Sequence, residues 1–252
     1  MNPHQPTIFM NRSKNLLDQL IGSLVRRIGR HVYGLAWQDT TNALRRELQH
    51  RATIFAANFV QTHMPNAVFC SDKFDHLTWA WGQVPTGLAL EFGVFRGVSI
   101  THLARLAPER RFFGFDSFLG LPEQWSGNRY SKLNFNRKGK IPRVPPNVTI
   151  IEGWFHETLP RFLAQHNEPI ALMHIDCDIY SSAKTVLDLT ADRITPGAVL
   201  VFDEFFNYLG FELHEYKAFF EFVERFGVKY KFIGYSGQQV SVVIDAIHKP
   251  AG

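Results

Sequence analysis

The stretch Glu91-Phe-Gly93-Val-Phe-Arg-Gly97 constrains the fold of this chain more than any other. An apolar run, Gly87 to Leu90, precedes it and predicts a buried strand. Val98 to Leu106 follows it and predicts a helix. A strand, a tight glycine turn and a helix open an α/β sheet whose ligands sit beyond the carboxyl ends of the strands. Arg111 to Phe115 predicts the next strand. It ends at Asp116, 19 residues after Gly97, close to the roughly 20 expected for an acid that holds a ribose diol.

The acid inside the turn selects among nucleotides. A dinucleotide would bring its pyrophosphate to this turn, where Glu91 repels it. S-adenosylmethionine carries no phosphate. Its ammonium pairs with a carboxylate, and its own carboxylate suits a helix N-terminus. The turn therefore favours a methyl donor over NAD.

From residue 87 onward, short apolar runs at 87–91, 112–115, 147–151, 170–175 and 197–202 alternate with helical stretches at 98–106, 157–165 and 180–192. That rhythm predicts a parallel sheet covered on both faces. A helix from Glu212 to Phe226 and strands at 230–235 and 240–244 follow, and Gly237 allows a closing hairpin. The expected fold is α/β: a seven-stranded, Rossmann-like sheet with a terminal antiparallel hairpin, over residues 87–252.

Residues 1–86 are expected to form a helical extension. Apolar positions Leu16, Leu17, Leu20, Ile21, Leu24, Val25, Ile28, Val32 and Leu35 follow helical spacing, and Thr41 to His63 predicts a second helix. The formal charge of +4 is concentrated here: residues 1–60 hold eight Lys or Arg against three acids. The expectation is an extension that covers one side of the main domain, with a homodimer contact along its apolar stripe. A basic helix lying on an anionic membrane is the lesser reading. No nucleic-acid signature is present, and no nucleic-acid partner is expected. No apolar run approaches the roughly 18 residues of a membrane span. Two cysteines, Cys70 and Cys177, build no disulfide framework, and a cytoplasmic location is expected. Residues 119–146 form a long basic connection, expected to act as a lid that attracts an anionic acceptor.

Acids mark the strand ends. Asp176 and Asp178 close the fourth strand, and Asp203 and Glu204 the fifth. With Glu91 and Asp116 they converge on one edge, where they repel one another unless cations intervene. Part of that charge can come from the donor. A hard divalent ion would supply the rest, and it would stabilise an acceptor hydroxyl as it loses its proton to a neighbouring carboxylate.

The motifs Glu91-Phe-Gly-Val-Phe-Arg-Gly97, Gly114-Phe-Asp-Ser-Phe118, Gly120-Leu-Pro-Glu123, Gly153-Trp-Phe155, His174-Ile-Asp-Cys-Asp-Ile-Tyr-Ser-Ser182 and Pro196-Gly-Ala-Val-Leu-Val-Phe-Asp-Glu204 occur in this order. Together they resemble the macrocin O-methyltransferase family, the TylF/MycF type. The resemblance implies a class I methyltransferase fold, bound S-adenosylmethionine and a Mg2+-assisted transfer to a hydroxyl of a small molecule such as a sugar. It implies that Glu91, Gly93 and Gly97 hold the methionine part, Asp116 and Ser117 the ribose, and Gly153 and Trp154 the adenine. Ser99 and Asp176 are counted with the donor-binding residues. Asp176, Asp203 and Glu204 would bind the metal, and Asp178 would be the base. The family often has Asp-Asp where this chain has Asp203-Glu204, and residues 119–146 contain no histidine. Two alternatives stay open: a metal-independent methyltransferase, and a donor-binding protein without catalysis.

Overall fold

A computed structural model describes residues 8–125 and 135–248, with side chains described outside 8–20, 35–39 and 41. The chain divides into two compact units between His50 and Arg51.

The first unit is helical. Helix α1, Ile8–His63, is continuous where two helices were expected. Residues 36–40 hold no proline, and a single Gly34 costs a helix only about 1 kcal/mol. Ile21, Leu24, Val25, Ile28 and Val32 are exposed on it.

The second unit begins with the last turns of α1. It continues as β1 (Val68–Phe69), α2 (Lys73–Trp81), β2 (Leu88–Phe92), α3 (Val98–Leu106), β3 (Phe112–Asp116), β4 (Val148–Glu152), α4 (Phe155–Gln165), β5 (Ile170–Ile175), α5 (Tyr180–Thr190), β6 (Ile194–Phe202), α6 (Glu215–Arg225), β7 (Lys229–Ser236) and β8 (Gln239–Ala246). The sheet has eight strands in the order β1-β7-β8-β6-β5-β2-β3-β4. Seven were expected. The addition is the two-residue β1, which pairs parallel with β7 at the edge. Strands β2 to β6 run parallel, while β8 is antiparallel to both β6 and β7, as the terminal hairpin requires.

Alternation along the strands sorts the core. Leu90, Phe92, Phe113, Phe115, Met173, Ile175, Leu200 and Phe202 share one cluster with Leu159 and Phe162 of α4, Val186 of α5 and Phe219 of α6. Ala89, Phe112, Leu172, Val199 and Val201 share the other with Leu77 and Ala80 of α2 and Ile100 and Leu103 of α3. Phe59, near the end of α1, lies among the rings of Phe205, Phe206, Tyr216, Phe220 and Phe232. These rings fix the connection that follows β6. The strand order reverses between β2 and β5, so the carboxyl ends of those strands diverge and leave a crevice.

Helix α2 comes in addition to the two helices expected within residues 1–86. Asp72 caps it, accepting the N–H groups of Phe74 and Asp75 at 2.8 and 3.0 Å. Trp79 Nε1 donates to the Ile233 carbonyl at 2.9 Å, and His76 Nε2 lies 2.8 Å from Ser241 Oγ. These bonds seat α2 on the β7–β8 hairpin and aim its first residue, Lys73, at the crevice.

Candidate active site

A cavity of about 930 Å3 opens at the crevice. Gly93, Ser99, Asp116, Ser117, Gly153, Trp154, Asp176, Asp178, Asp203 and Glu204 line it, ten of the twelve residues expected in the site. Glu91 and Gly97 are not among the lining residues. The Glu91 carboxylate is engaged within the protein: it accepts Ser99 Oγ at 3.0 Å and His174 Nδ1 at 2.8 Å. Gly97 instead starts α3 in a left-handed conformation, φ 72°.

Asp116 ties the glycine turn to β3. Its Oδ2 accepts the backbone N–H groups of Val94 and Phe95 at 2.9 and 2.7 Å, and its Oδ1 accepts that of Phe118 at 2.7 Å. Phe95 and Phe118 both have positive φ, 46° and 55°. Such backbone costs a bulky L-residue roughly 1–2 kcal/mol, so the carboxylate holds two strained positions. The turn is close to β5 as well. A Cβ at Gly93, φ 97°, would collide with the Asp176 carbonyl oxygen.

Asp178, with φ 66°, turns the chain out of β5 between Cys177 and α5. Burial, the charge of Asp176 and that of Glu215 push its carboxyl well above the ordinary range. Glu204 is raised in the same way, by burial and by Asp178. Its Oε2 is buried with no hydrogen-bond partner among the described residues. Glu215, at the start of α6, is raised to about 8 by burial, although it accepts the N–H groups of Glu204 and Cys177 at 3.1 and 3.3 Å.

The expected metal ligands do not fit a shared divalent ion. Lys73 Nζ lies 2.9 Å from Asp176 Oδ2 and 2.7 Å from Asp203 Oδ1, so an ammonium already bridges two of the three. Burial works against the charge on Lys73, but Asp176 and Asp203 raise its pKa above the ordinary value. Asp203 is drawn down to about 2: its burial is outweighed by His174 and Lys73. Asp176 rises to about 6 through burial and the charge of Asp203, with Lys73 opposing. His174 Nε2 lies 3.7 Å from Asp203 Oδ1. Despite its burial, His174 is raised to about 10 by Asp203 and Glu91. The result is an alternating row, Glu91, His174, Asp203, Lys73, Asp176, with the cations supplied by the chain. Oxygens of Asp176, Asp178 and Glu204 also come within 4.8 Å of one another. That second group shares Asp176 with Lys73.

Lys73, Arg96, Trp125, Phe135, Tyr208 and Gln238 also line the cavity and were not expected. Only Arg96 lies inside a quoted motif. His214 is buried and does not line the cavity; its ring meets those of Trp125 and Tyr208. His156 lines the cavity as well. Cys177 is in the core cluster and also forms part of the cavity wall. Arg129 and Lys132 of the expected lid lie outside the described residues. Of its described part, Arg137 and Gly139 donate to the Phe118 carbonyl. Among the described residues no helix is long and apolar enough to cross a membrane.

Residues 90–205 match the methyltransferase domain family. A Streptomyces olivaceus protein, 8-demethyl-8-(2,3-dimethoxy-alpha-L-rhamnosyl)-tetracenomycin-C 4'-O-methyltransferase, is 25% identical over 144 residues, 47% of this chain and 53% of the relative. The chain thus spans about half the length of that curated relative. The crystal structure of CalS11, a calicheamicin methyltransferase, superposes with a TM-score of 0.56 at 21% identity, over 79% of this chain and 91% of that one. The O-methyltransferase NovP matches at a TM-score of 0.49 and 21% identity, over 69% and 78%. The cavity between β2 and β5, the strand order and the CalS11 superposition agree. Residues 90–205 are thus similar to the methyltransferase domain family, and the chain shares the fold of the CalS11 structure.

Proposed function

We propose that the protein transfers a methyl group from S-adenosylmethionine to a hydroxyl of a sugar or sugar-bearing natural product. The observation that carries this reading is the convergence of Gly93, Asp116, Gly153 and Trp154 with Asp176 and Asp178 on one cavity. The first four suit the donor's backbone, ribose and adenine, and the acids suit its cationic end. The acceptor enters beside Asp178, Tyr208 and Gln238. Its hydroxyl oxygen attacks the methyl carbon in line with the sulfur, the carbon–sulfur bond breaks with its electron pair left on sulfur, and the hydroxyl proton passes to the Asp178 carboxylate. The raised pKa of Asp178 equips it to take that proton. No step is routed through a divalent ion, because Lys73 holds the acids that would share one. The rhamnosyl acceptor in the name of the Streptomyces relative supports a sugar hydroxyl. Arg96, exposed at the cavity, and Lys138 and Lys140 of the basic connection support an anionic acceptor. The exposed apolar positions of α1 support pairing of two copies, and two free buried cysteines support a cytoplasmic location.

The test is calorimetric titration with S-adenosylmethionine, followed by mass spectrometry of glycosylated acceptors incubated with donor and protein. One donor bound per chain and a product heavier by one methylene are expected. Failure to bind the donor would remove this reading. Binding without any product would favour the non-catalytic alternative.

A further inference from the structure

We propose that the Lys73 ammonium, held between Asp176 and Asp203, takes the place of a divalent ion in this cavity, so that the protein supplies from its own chain the positive charge beside the acceptor oxygen. The inference rests on the methyltransferase reading and deepens it.

Placement is the first argument. Lys73 Nζ reaches both carboxylates at salt-bridge distance, 2.9 and 2.7 Å. Its side chain is still 28% exposed, and Lys73 lines the cavity with Asp178 and Glu204. The ammonium therefore meets both the acids and whatever enters.

Cost is the second argument. Lys73 is the first residue of α2, where the helix dipole disfavours a cation. Its stem and charge are largely withdrawn from water. A lysine in such a position is kept there by the two carboxylates, and α2 is fastened well enough to hold it. Asp72 caps the helix, Trp79 bonds the Ile233 carbonyl, and His76 meets Ser241.

Competition is the third. Mg2+ binds carboxylate oxygens at about 2.0–2.1 Å and demands a nearly octahedral shell. To use Asp176 and Asp203 it would have to expel Nζ or share oxygens with it at close range, cation against cation. Asp203 is further engaged by His174 Nε2 at 3.7 Å. The remaining group, Asp176, Asp178 and Glu204, keeps only one acid that Lys73 touches.

During transfer Lys73 keeps its protons. It faces the oxygen as negative charge develops there, while the hydroxyl proton goes to Asp178 and the sulfur leaves as a neutral thioether. A preformed charge of this kind typically contributes about 100- to 1,000-fold in rate.

The experiment is a Mn2+ titration of the full chain followed by electron paramagnetic resonance, run on wild type, Lys73→Ala and Lys73→Arg, with circular dichroism as the check of folding. Wild type and Lys73→Arg are expected to bind no Mn2+ at submillimolar concentration. Lys73→Ala is expected to bind one ion, because it frees Asp176 and Asp203. In chelator, wild-type methyl transfer is expected to continue undiminished. Lys73→Ala should lose about 100-fold, with part of the loss restored by Mg2+ and with donor affinity kept. One Mn2+ bound tightly by wild type, or loss of transfer in chelator while donor binding persists, would overturn the proposal. If Lys73→Ala does not fold, the wild-type titration and Lys73→Arg decide. A wild-type chain that binds neither donor nor Mn2+ points to failure of the methyltransferase reading, since the ion titration does not depend on it.

Discussion

His174 Nδ1 lies 2.8 Å from Glu91 Oε2 between register partners of β5 and β2, and both side chains are shut off from water. The acid that marks the glycine turn in the sequence thus serves the sheet interior, and it reaches the cavity only through Ser99 and the charged row behind it. Removing one member of a buried pair leaves the other uncompensated. Glu91→Ala is expected to lower the unfolding free energy by about 3–5 kcal/mol in urea denaturation. Glu91→Gln, which keeps an oxygen acceptor, should lose clearly less. Equal losses for the two variants would show that the charge pair contributes little.

Asp116 carries three backbone amides, two of them on residues with left-handed φ. Without the carboxylate those amides lose their acceptor and Phe95 and Phe118 can relax. Asp116→Ala is expected to cost about 2–4 kcal/mol of stability and to weaken S-adenosylmethionine binding by about tenfold or more, an equivalent of about 1.4 kcal/mol. Calorimetry reads the second effect directly. Unchanged donor affinity would show that the turn does not shape the donor site.

Two glycines with similar φ make a controlled comparison. Gly93→Ala sets a methyl group against the Asp176 carbonyl oxygen, whereas at Gly210, φ 80°, an added Cβ meets nothing within 4 Å. Gly210→Ala is expected to cost about 1 kcal/mol, the backbone penalty alone. Gly93→Ala should give no stable folded chain. Thermal melts of the two variants decide the matter.

Stability should fall on the alkaline side. His174 is raised to about 10 from 6.5, so its contribution is complete below pH 6.5 and is lost as pH rises through 10. Glu215 is raised to about 8 from 4.5; the folded chain binds its proton more tightly, and that advantage is lost as pH climbs from 4.5 to 8. Both effects have the same sign between pH 6.5 and 8. The melting temperature is expected to decline across this window and on to pH 10. His174→Gln should flatten the decline above pH 8. A melting temperature that rises from pH 7 to 9 would contradict the charged row.

The strand–helix alternation from residue 87 was legible because each core strand is short and mostly apolar, and each ends in or beside glycine or an acid. The same strand-end acids carried most of the cavity. Helix α2 was not legible. It is nine residues long, among mixed aromatics, and its signals are one Asp72 cap and three buried positions, His76, Leu77 and Ala80. Lys73 could not be read at all: its partner Asp176 is 103 residues away, and no local pattern records an ion pair across that span. Glu91 reads in the sequence as an acid of the turn; the structure places it in β2 with its carboxylate on Ser99 and His174. Sequence spacing fixes the strand it stands on, while its direction depends on His174 in the neighbouring strand.

Phe95 and Phe118 take their uncommon backbone before anything enters, since one carboxylate already grips both amides. An arriving molecule meets a finished mould. Little of its affinity is consumed in arranging the wall, and a guest of the wrong outline is turned away by shape instead of being accommodated.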